Sequence, residues 1–596
     1  MAMKRLKVVV ACAIFGLVPM GATGGDARAG EAPGMPGDWE GTLTVTPQVR
    51  LRITLKVAEG KDGALSGTWG SPDEGLEGLP LRSIAIKDDV LTFATKHGAT
   101  YKGKRNAEGA EVAGDWTQGG RKFPLTLKRF DPSKRPAAPP IPKELEGFWE
   151  GKLKVTAGIE LRLVLKVQKA NGGPLKATLA SPDQGANEAP VSAIGLKDDT
   201  LTFESKLIGA KYSGKKTKDG NGFDGQFIQG GLKLPLILKK TDKLSVAPRP
   251  QTPRPPFPYR SEEVAYENKT GGVKLAGTLT LPPGQGPFPA ALLITGSGPQ
   301  DRDETILGHK PFLVIADALT RRGIAVLRVD DRGVGGSSGS GTSSTTEDFA
   351  GDALSGVSYL KARKEIDPSK IGLIGHSEGG LIAPLAASRS ADVAFVVLMA
   401  GTGLPGVDVL RAQGRLIWKA EGLSDAELKY ALDTQQRAID IFLAEKDEKV
   451  AKARFAAALK EILAALPESL KKELDQSGDP SEGMIEQYNN AWFRSFLTSD
   501  PRPTLLKLRC PVLAVNGEKD LQVPCKENLA EIARALQAGG NRDFKTIEFP
   551  GLNHLFQPCK TGSLSEYATI ETTIAPEVLK TIGDWVVEKT GPRGGK

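Results

Sequence analysis

Gly375-His376-Ser377-Glu378-Gly379 fits the pattern G-x-S-x-G, which sets a serine on a sharp turn between a strand and a helix. The apolar run Ile371-Gly372-Leu373-Ile374 precedes it, and Gly379-Gly380-Leu381-Ile382-Ala383 follows as a helix start. Such a turn strains the serine backbone, and the flanking glycines let strand and helix approach closely. The hydroxyl then projects at a helix N-terminus, where the dipole favours negative charge. The chemistry expected of Ser377 is nucleophilic attack on a carbonyl carbon.

A serine needs a base, and the chain has 4 histidines. His97 lies in a β-rich N-terminal region, His376 adjoins the serine and is expected to point elsewhere on the elbow, and His309 just precedes a helix. His554, in Pro550-Gly551-Leu552-Asn553-His554, follows the last strand, where the chain order serine, acid, histidine places the base. The orienting acid belongs after the next-to-last strand. Asp520, in Asn516-Gly517-Glu518-Lys519-Asp520, is assigned there, with Glu518 as a rival that reads as a solvated turn residue. Two backbone amides are needed for an oxyanion. One is that of Glu378; the other is placed at Ser297 in Thr295-Gly296-Ser297-Gly298-Pro299, with Gly298 as the alternative. Asp330-Asp331-Arg332-Gly333-Val334-Gly335 lacks the Lys-Ser/Thr of a phosphate loop, so Arg332 is expected to pair with its neighbouring acids below the site. No metal or organic cofactor is implied.

These residues need a rigid frame. From about residue 259, apolar strand-like runs at 290–295, 325–329, 371–374, 394–399, 512–515 and 545–549 alternate with helical stretches such as 311–321 and 349–364. That pattern predicts a parallel sheet covered on both faces. The alternation breaks at about 403–500, a helical insertion after the sixth strand in which Ser424 and Glu427 form a capping box. Tyr488, Trp492 and Phe496 share one helix face, either packing against the domain body or lining an acyl pocket.

Upstream the chain repeats itself. Gly37-Asp38-Trp39-Glu40-Gly41 returns as Gly147-Phe148-Trp149-Glu150-Gly151, Ser71-Pro72-Asp73 as Ser181-Pro182-Asp183, and Lys87-Asp88-Asp89 as Lys197-Asp198-Asp199. Both copies alternate apolar and polar residues, as in Leu51-Arg52-Ile53-Thr54-Leu55-Lys56-Val57. Two duplicated all-β domains follow, each a barrel or sandwich, at 36–131 and 145–241. The opening Gly-x-Trp resembles the first strand of lipocalin-like barrels, where the Trp serves as a core plug or a ligand contact. Residues 242–258 are rich in proline and read as a semi-rigid spacer before a domain at 259–590.

Lys4, Arg5 and Lys7, an apolar run over 8–18 and the small-residue site Ala27-Arg28-Ala29 read as a signal peptide, residues 1–29, and hence export to the periplasm or beyond. Val9-Val10-Ala11-Cys12 has the look of a lipobox, though few apolar residues precede it. No later segment is apolar enough to span a bilayer. Of the 4 cysteines, removal of Cys12 leaves Cys510, Cys525 and Cys559. Cys510 opens a strand as a buried thiol. Cys525 and Cys559 each follow an assigned residue by five positions and could pair as a disulfide. The net charge of +8, with lysines concentrated in the repeats, suits solvated strand faces or contact with an anionic cell surface or glycan. No motif supports nucleic-acid binding.

Residues 259–590 resemble the EstD-type bacterial carboxylesterases of the α/β-hydrolase superfamily. The resemblance rests on Gly296-Ser297-Gly298-Pro299-Gln300-Asp301-Arg302-Asp303, Asp331-Arg332-Gly333-Val334-Gly335, Gly375-His376-Ser377-Glu378-Gly379-Gly380, Asn516-Gly517-Glu518-Lys519-Asp520 and Leu552-Asn553-His554-Leu555-Phe556-Gln557. It implies an α/β-hydrolase fold and hydrolysis of small-molecule carboxylic esters with short to medium acyl chains. The same motifs are similar to those of serine aminopeptidases, so amide cleavage by the same triad stands as the alternative. A second alternative is a surface-binding protein whose work lies in the repeats.

Overall fold

The computed structural model describes residues 35–591 apart from 46–49, 61–63, 75, 96–98, 119–120, 135–138, 155–159, 170–172, 183–187, 230–231, 243–247, 342, 465–489 and 568. The signal segment with Cys12, His97 and Tyr488 lie outside the described residues.

The first repeat is a barrel. Eight antiparallel strands, from Gly37–Thr44 to Arg121–Arg129, pair in chain order, and the first closes on the last through Trp39 with Arg129 and Glu40 with Lys128. In the second repeat Gly147–Lys154 pairs with both Glu160–Lys169 and Leu232–Thr241. Its fourth strand is split into Ala189–Pro190 and Ala193–Lys197. At the split, Val191 N–H bonds to Ala177 O and Ser192 N–H to Glu204 O, so two hydrogen bonds hold the seam of a curled nine-stranded sheet.

Sequence alternation dictates what fills these barrels. Trp39, Trp69, Phe93, Tyr101 and Trp116 pack inside the first, and Trp149, Phe203, Tyr212, Phe223 and Phe227 inside the second. Burying each such ring contributes about 1.5–3 kcal/mol. The opening tryptophans are core plugs: Trp39 Nε1 donates to Met35 O at 3.0 Å and Trp149 Nε1 to Leu145 O at 2.8 Å. Both Lys-Asp-Asp turns hold their aspartates at positive φ, 50° and 60° in one copy and 49° and 55° in the other, which makes them tight primed hairpins.

The C-terminal domain is built on eight strands: β1 (Arg260–Asn268), β2 (Val273–Leu281), β3 (Phe288–Ile294), β4 (Ala325–Val329), β5 (Ile366–His376), β6 (Phe395–Met399), β7 (Val512–Gly517) and β8 (Phe544–Phe549). Their order in the sheet is β1-β2-β4-β3-β5-β6-β7-β8; β2 runs antiparallel to both its neighbours, β1 and β4, and every other neighbouring pair is parallel. Successive residues face opposite layers. Val396 and Leu398 pack with α2 (Thr346–Lys361), α3 (Gly379–Ala387) and α8 (Cys525–Ala538), while Phe395, Val397 and Met399 pack with α1 (Pro311–Thr320) and α9 (Pro576–Thr590).

Between β6 and β7 the insertion forms α4 (Gly406–Ala420), α5 (Asp425–Ala444), α6 (Glu448–Ala464) and α7 (Ala491–Thr498). The Ser424–Glu427 capping box starts α5 as expected. Phe442, Phe455, Leu459, Phe493 and Leu497 give the insertion its own core. Among the described residues no helix is long and apolar enough to cross a membrane.

The proline-rich segment departs from the expected spacer. Arg249 donates to Leu307 O at 2.8 Å and Ile570 O at 3.0 Å. Gln251 accepts from the amides of Thr573 and Ile574 at 2.6 and 3.0 Å and donates to Ile574 O at 2.7 Å. Polar side chains among the prolines thus lay it along the C-terminal domain.

Candidate active site

Ser377 follows β5 at φ +54°, in the left-handed region that costs a side-chain-bearing residue on the order of 1–3 kcal/mol. Its amide is tied to Met399 O at 2.9 Å. The glycines explain how the turn closes. A Cβ on Gly375 would lie 1.9 Å from Gly379 O, so any larger residue would push the strand off the helix. The loop after β3 borders the serine: a Cβ on Gly296 would lie 3.2 Å from Ser377 Cβ.

Asp520 leaves β7 and His554 follows β8, and the parallel register brings the two strand ends side by side. His554 Nδ1 meets Asp520 Oδ2 at 2.7 Å, with both side chains at most 5% exposed. Asp520 Oδ1 accepts from the amides of Gln522 and Val523, both at 2.8 Å, so the acid is fixed before it orients the ring. Glu518, the rival, is exposed and accepts from Gly551 N–H on the far side of the turn. The Ser297 and Glu378 amides have no acceptor among the described residues, and α3 begins at the next residue after Glu378.

Residues 292–558 match the model of the Alpha/beta hydrolase family. The chain is also 29% identical over 315 residues to esterase EstD of Thermotoga maritima, a match that covers 53% of this chain and 66% of that protein. The chain carries an α/β-hydrolase domain similar to that of esterase EstD. Two solved structures are similar as well. A Pyrococcus furiosus esterase aligns at 16% identity and a TM-score of 0.34 over 58% of this chain and 99% of its own. Est1E from Butyrivibrio proteoclasticus, solved with ferulic acid, aligns at 19% identity and 0.33 over 55% and 100%.

Around Ser377, Asp520 and His554, the α/β-hydrolase domain adds contacts that sequence spacing does not reveal. The Glu378 side chain is buried, and both its oxygens accept from Trp492 Nε1, at 2.8 and 3.0 Å, while Thr346 Oγ1 approaches at 3.5 Å. Trp492 therefore packs against the domain body at the elbow, with Phe496 stacked on it at 6.1 Å between ring centroids. Burial pushes the Glu378 carboxyl up to about 7 despite these donors. Asp331 holds the loop after β3 through Thr295 Oγ1 at 2.7 Å and Gln300 N–H at 2.9 Å.

Two expectations change and a third gains detail. Arg332 pairs with Asp352 of α2, at 2.6 and 2.9 Å, rather than with the adjacent acids; Asp330 is taken by Arg302. Cys525 and Cys559 do not form a disulfide: both are free thiols. Cys525 opens α8 packed in the core, whereas Cys559 Sγ turns to Gly551 O at 3.4 Å. His376 points away from the serine hydroxyl chemistry as expected, yet it is not idle. Its Nδ1 meets Glu304 Oε1 at 2.9 Å and its Nε2 meets His554 O at 3.1 Å. The one available signal was Glu304 itself, an acid beside the Asp301-Arg302-Asp303 run.

Proposed function

We propose that this protein is an exported serine carboxylesterase cleaving short- to medium-chain carboxylic esters through an acyl-enzyme on Ser377. The observation that carries the reading is the buried 2.7 Å contact between His554 Nδ1 and Asp520, together with a serine held at φ +54° on the strand–helix turn. With Nδ1 engaged, Nε2 is the nitrogen left to accept the Ser377 proton as the hydroxyl attacks the ester carbonyl. The amides of Ser297 and Glu378 receive the oxyanion. His554 then protonates the leaving alcohol, and water activated by the same ring releases the acid. The helical insertion, anchored beside the elbow by Trp492, sets acyl-chain preference.

Export is read from the basic and apolar start of the chain and its small-residue site at Ala27-Arg28-Ala29. The barrels are filled, and lysines such as Lys56, Lys102, Lys152 and Lys211 are exposed, so we place any cell-surface or glycan contact on their outer faces.

A p-nitrophenyl ester series run beside aminoacyl anilides tests the reading. Ester turnover that falls by on the order of 10⁴-fold or more in Ser377→Ala supports it. Faster anilide cleavage by the wild type would replace esterase with amidase, and absence of fluorophosphonate labelling at Ser377 would remove the serine mechanism.

A further inference from the structure

Glu304 is 3% exposed and sits at φ +52° on the loop that follows the oxyanion loop. Its Oε1 accepts from Gly296 N–H at 2.7 Å and contacts His376 Nδ1 at 2.9 Å. Oε2 has no partner among the described residues. The other ring nitrogen of His376 contacts the carbonyl oxygen of His554 at 3.1 Å.

The chemistry of these partners fixes the proton count. A backbone carbonyl only accepts, and a carboxylate only accepts. A neutral imidazole carries one N–H, so against an ionised Glu304 it would leave two lone pairs facing each other at one contact. Both contacts are satisfied when the pair holds a proton in each gap, as imidazolium and carboxylate. The amide hydrogen of Gly296 on the same oxygen stabilises the ionised acid. Burial lowers the His376 pKa, but the Glu304 carboxylate and the His554 carbonyl more than offset it, and the ring lies above its ordinary value.

We propose that Glu304 is a positioning residue for hydrolysis, linking the oxyanion loop to the base loop through a buried ion pair with His376. One oxygen fixes Gly296, next to Ser297; His376, on the elbow, then fixes the backbone of His554. The three loops that must converge on one carbonyl carbon are thereby joined. The groups facing the pair are His554, whose ring centroid is 4.9 Å from that of His376, Asp520 and Asp331, the last with Glu378 beside it. The inference rests on the esterase reading for its kinetic consequence, whereas the protonation of His376 does not depend on it.

The test uses the full chain in two measurements. Nitrogen-15 NMR of histidine-labelled wild type, with His376 assigned through His376→Gln, is expected to show both ring nitrogens protonated from pH 6 to pH 8. A neutral His376 ring in that range overturns the proposal, whatever the activity. Glu304→Gln keeps an acceptor for Gly296 but removes the charge. It is expected to lower kcat by on the order of 10²-fold with KM within about threefold, as a misplacement of reacting groups would. A kcat within twofold of wild type in folded Glu304→Gln also overturns it. If wild type hydrolyses no ester while His376 is doubly protonated, the esterase reading fails and the ion pair stands.

Discussion

Asp520 and Glu518 stand two residues apart on the loop leaving β7, and burial separates them. Asp520 is enclosed and holds His554; Glu518 is exposed and holds only a turn amide. Asp520→Asn is therefore expected to lower kcat by about 10³–10⁴-fold with KM little changed, while Glu518→Gln stays within about twofold, as steady-state ester kinetics would record. Both acids were visible in the sequence, where chain order fits either and Glu518 reads as a solvated turn residue. Glu378 was visible only as the residue after the serine, because its surroundings come from Trp492, more than a hundred positions downstream. Its raised pKa has a signed consequence. An unfolded chain releases this proton near pH 4.3, about where glutamate ordinarily titrates, whereas the folded domain keeps it to about 7. The stability it contributes is full below that window, falls as pH rises through it and is level above pH 7. Glu378→Gln removes the titration, so thermal melts from pH 4.5 to 7.5 are expected to lose a decline worth about 2–3 kcal/mol.

At the scale of elements, α7 has two roles. Phe493 and Leu497 belong to the core of the insertion, while Trp492 reaches the elbow. Trp492→Phe keeps the ring stack on Phe496 and removes the donor from a buried carboxyl. A loss of about 1–3 kcal/mol is expected, measured by denaturant unfolding at pH 8, where Glu378 is ionised. Strand and helix alternation made six parallel strands and the insertion legible, and the capping box gave the start of α5. The β1 strand was harder to see. Its sequence Arg260-Ser261-Glu262-Glu263-Val264-Ala265-Tyr266-Glu267-Asn268 is that of a charged edge, so it lacks the apolar run of the buried strands. Nor does local alternation distinguish a barrel from a sandwich, since closure depends on pairing between residues some ninety positions apart.

For the whole molecule, the anchored segment between barrels and hydrolase domain matters most. Composition marked it as a spacer because proline content reports backbone stiffness, not the acceptors that Arg249 and Gln251 find 58 to 323 residues away. A chain beginning at Phe257 is expected to melt several degrees below one beginning at Pro248, in a comparison by scanning calorimetry, because the first leaves the Thr573 and Ile574 amides without Gln251. The duplicated barrels carry a different consequence. Their opening strands, Gly37–Thr44 and Gly147–Lys154, share the Trp plug, the glycine and the alternation that fit either seam. A chain emerging or refolding with both copies exposed thus holds two near-equivalent keys for two near-equivalent locks. Exchange between neighbours is a built-in route to misassembly.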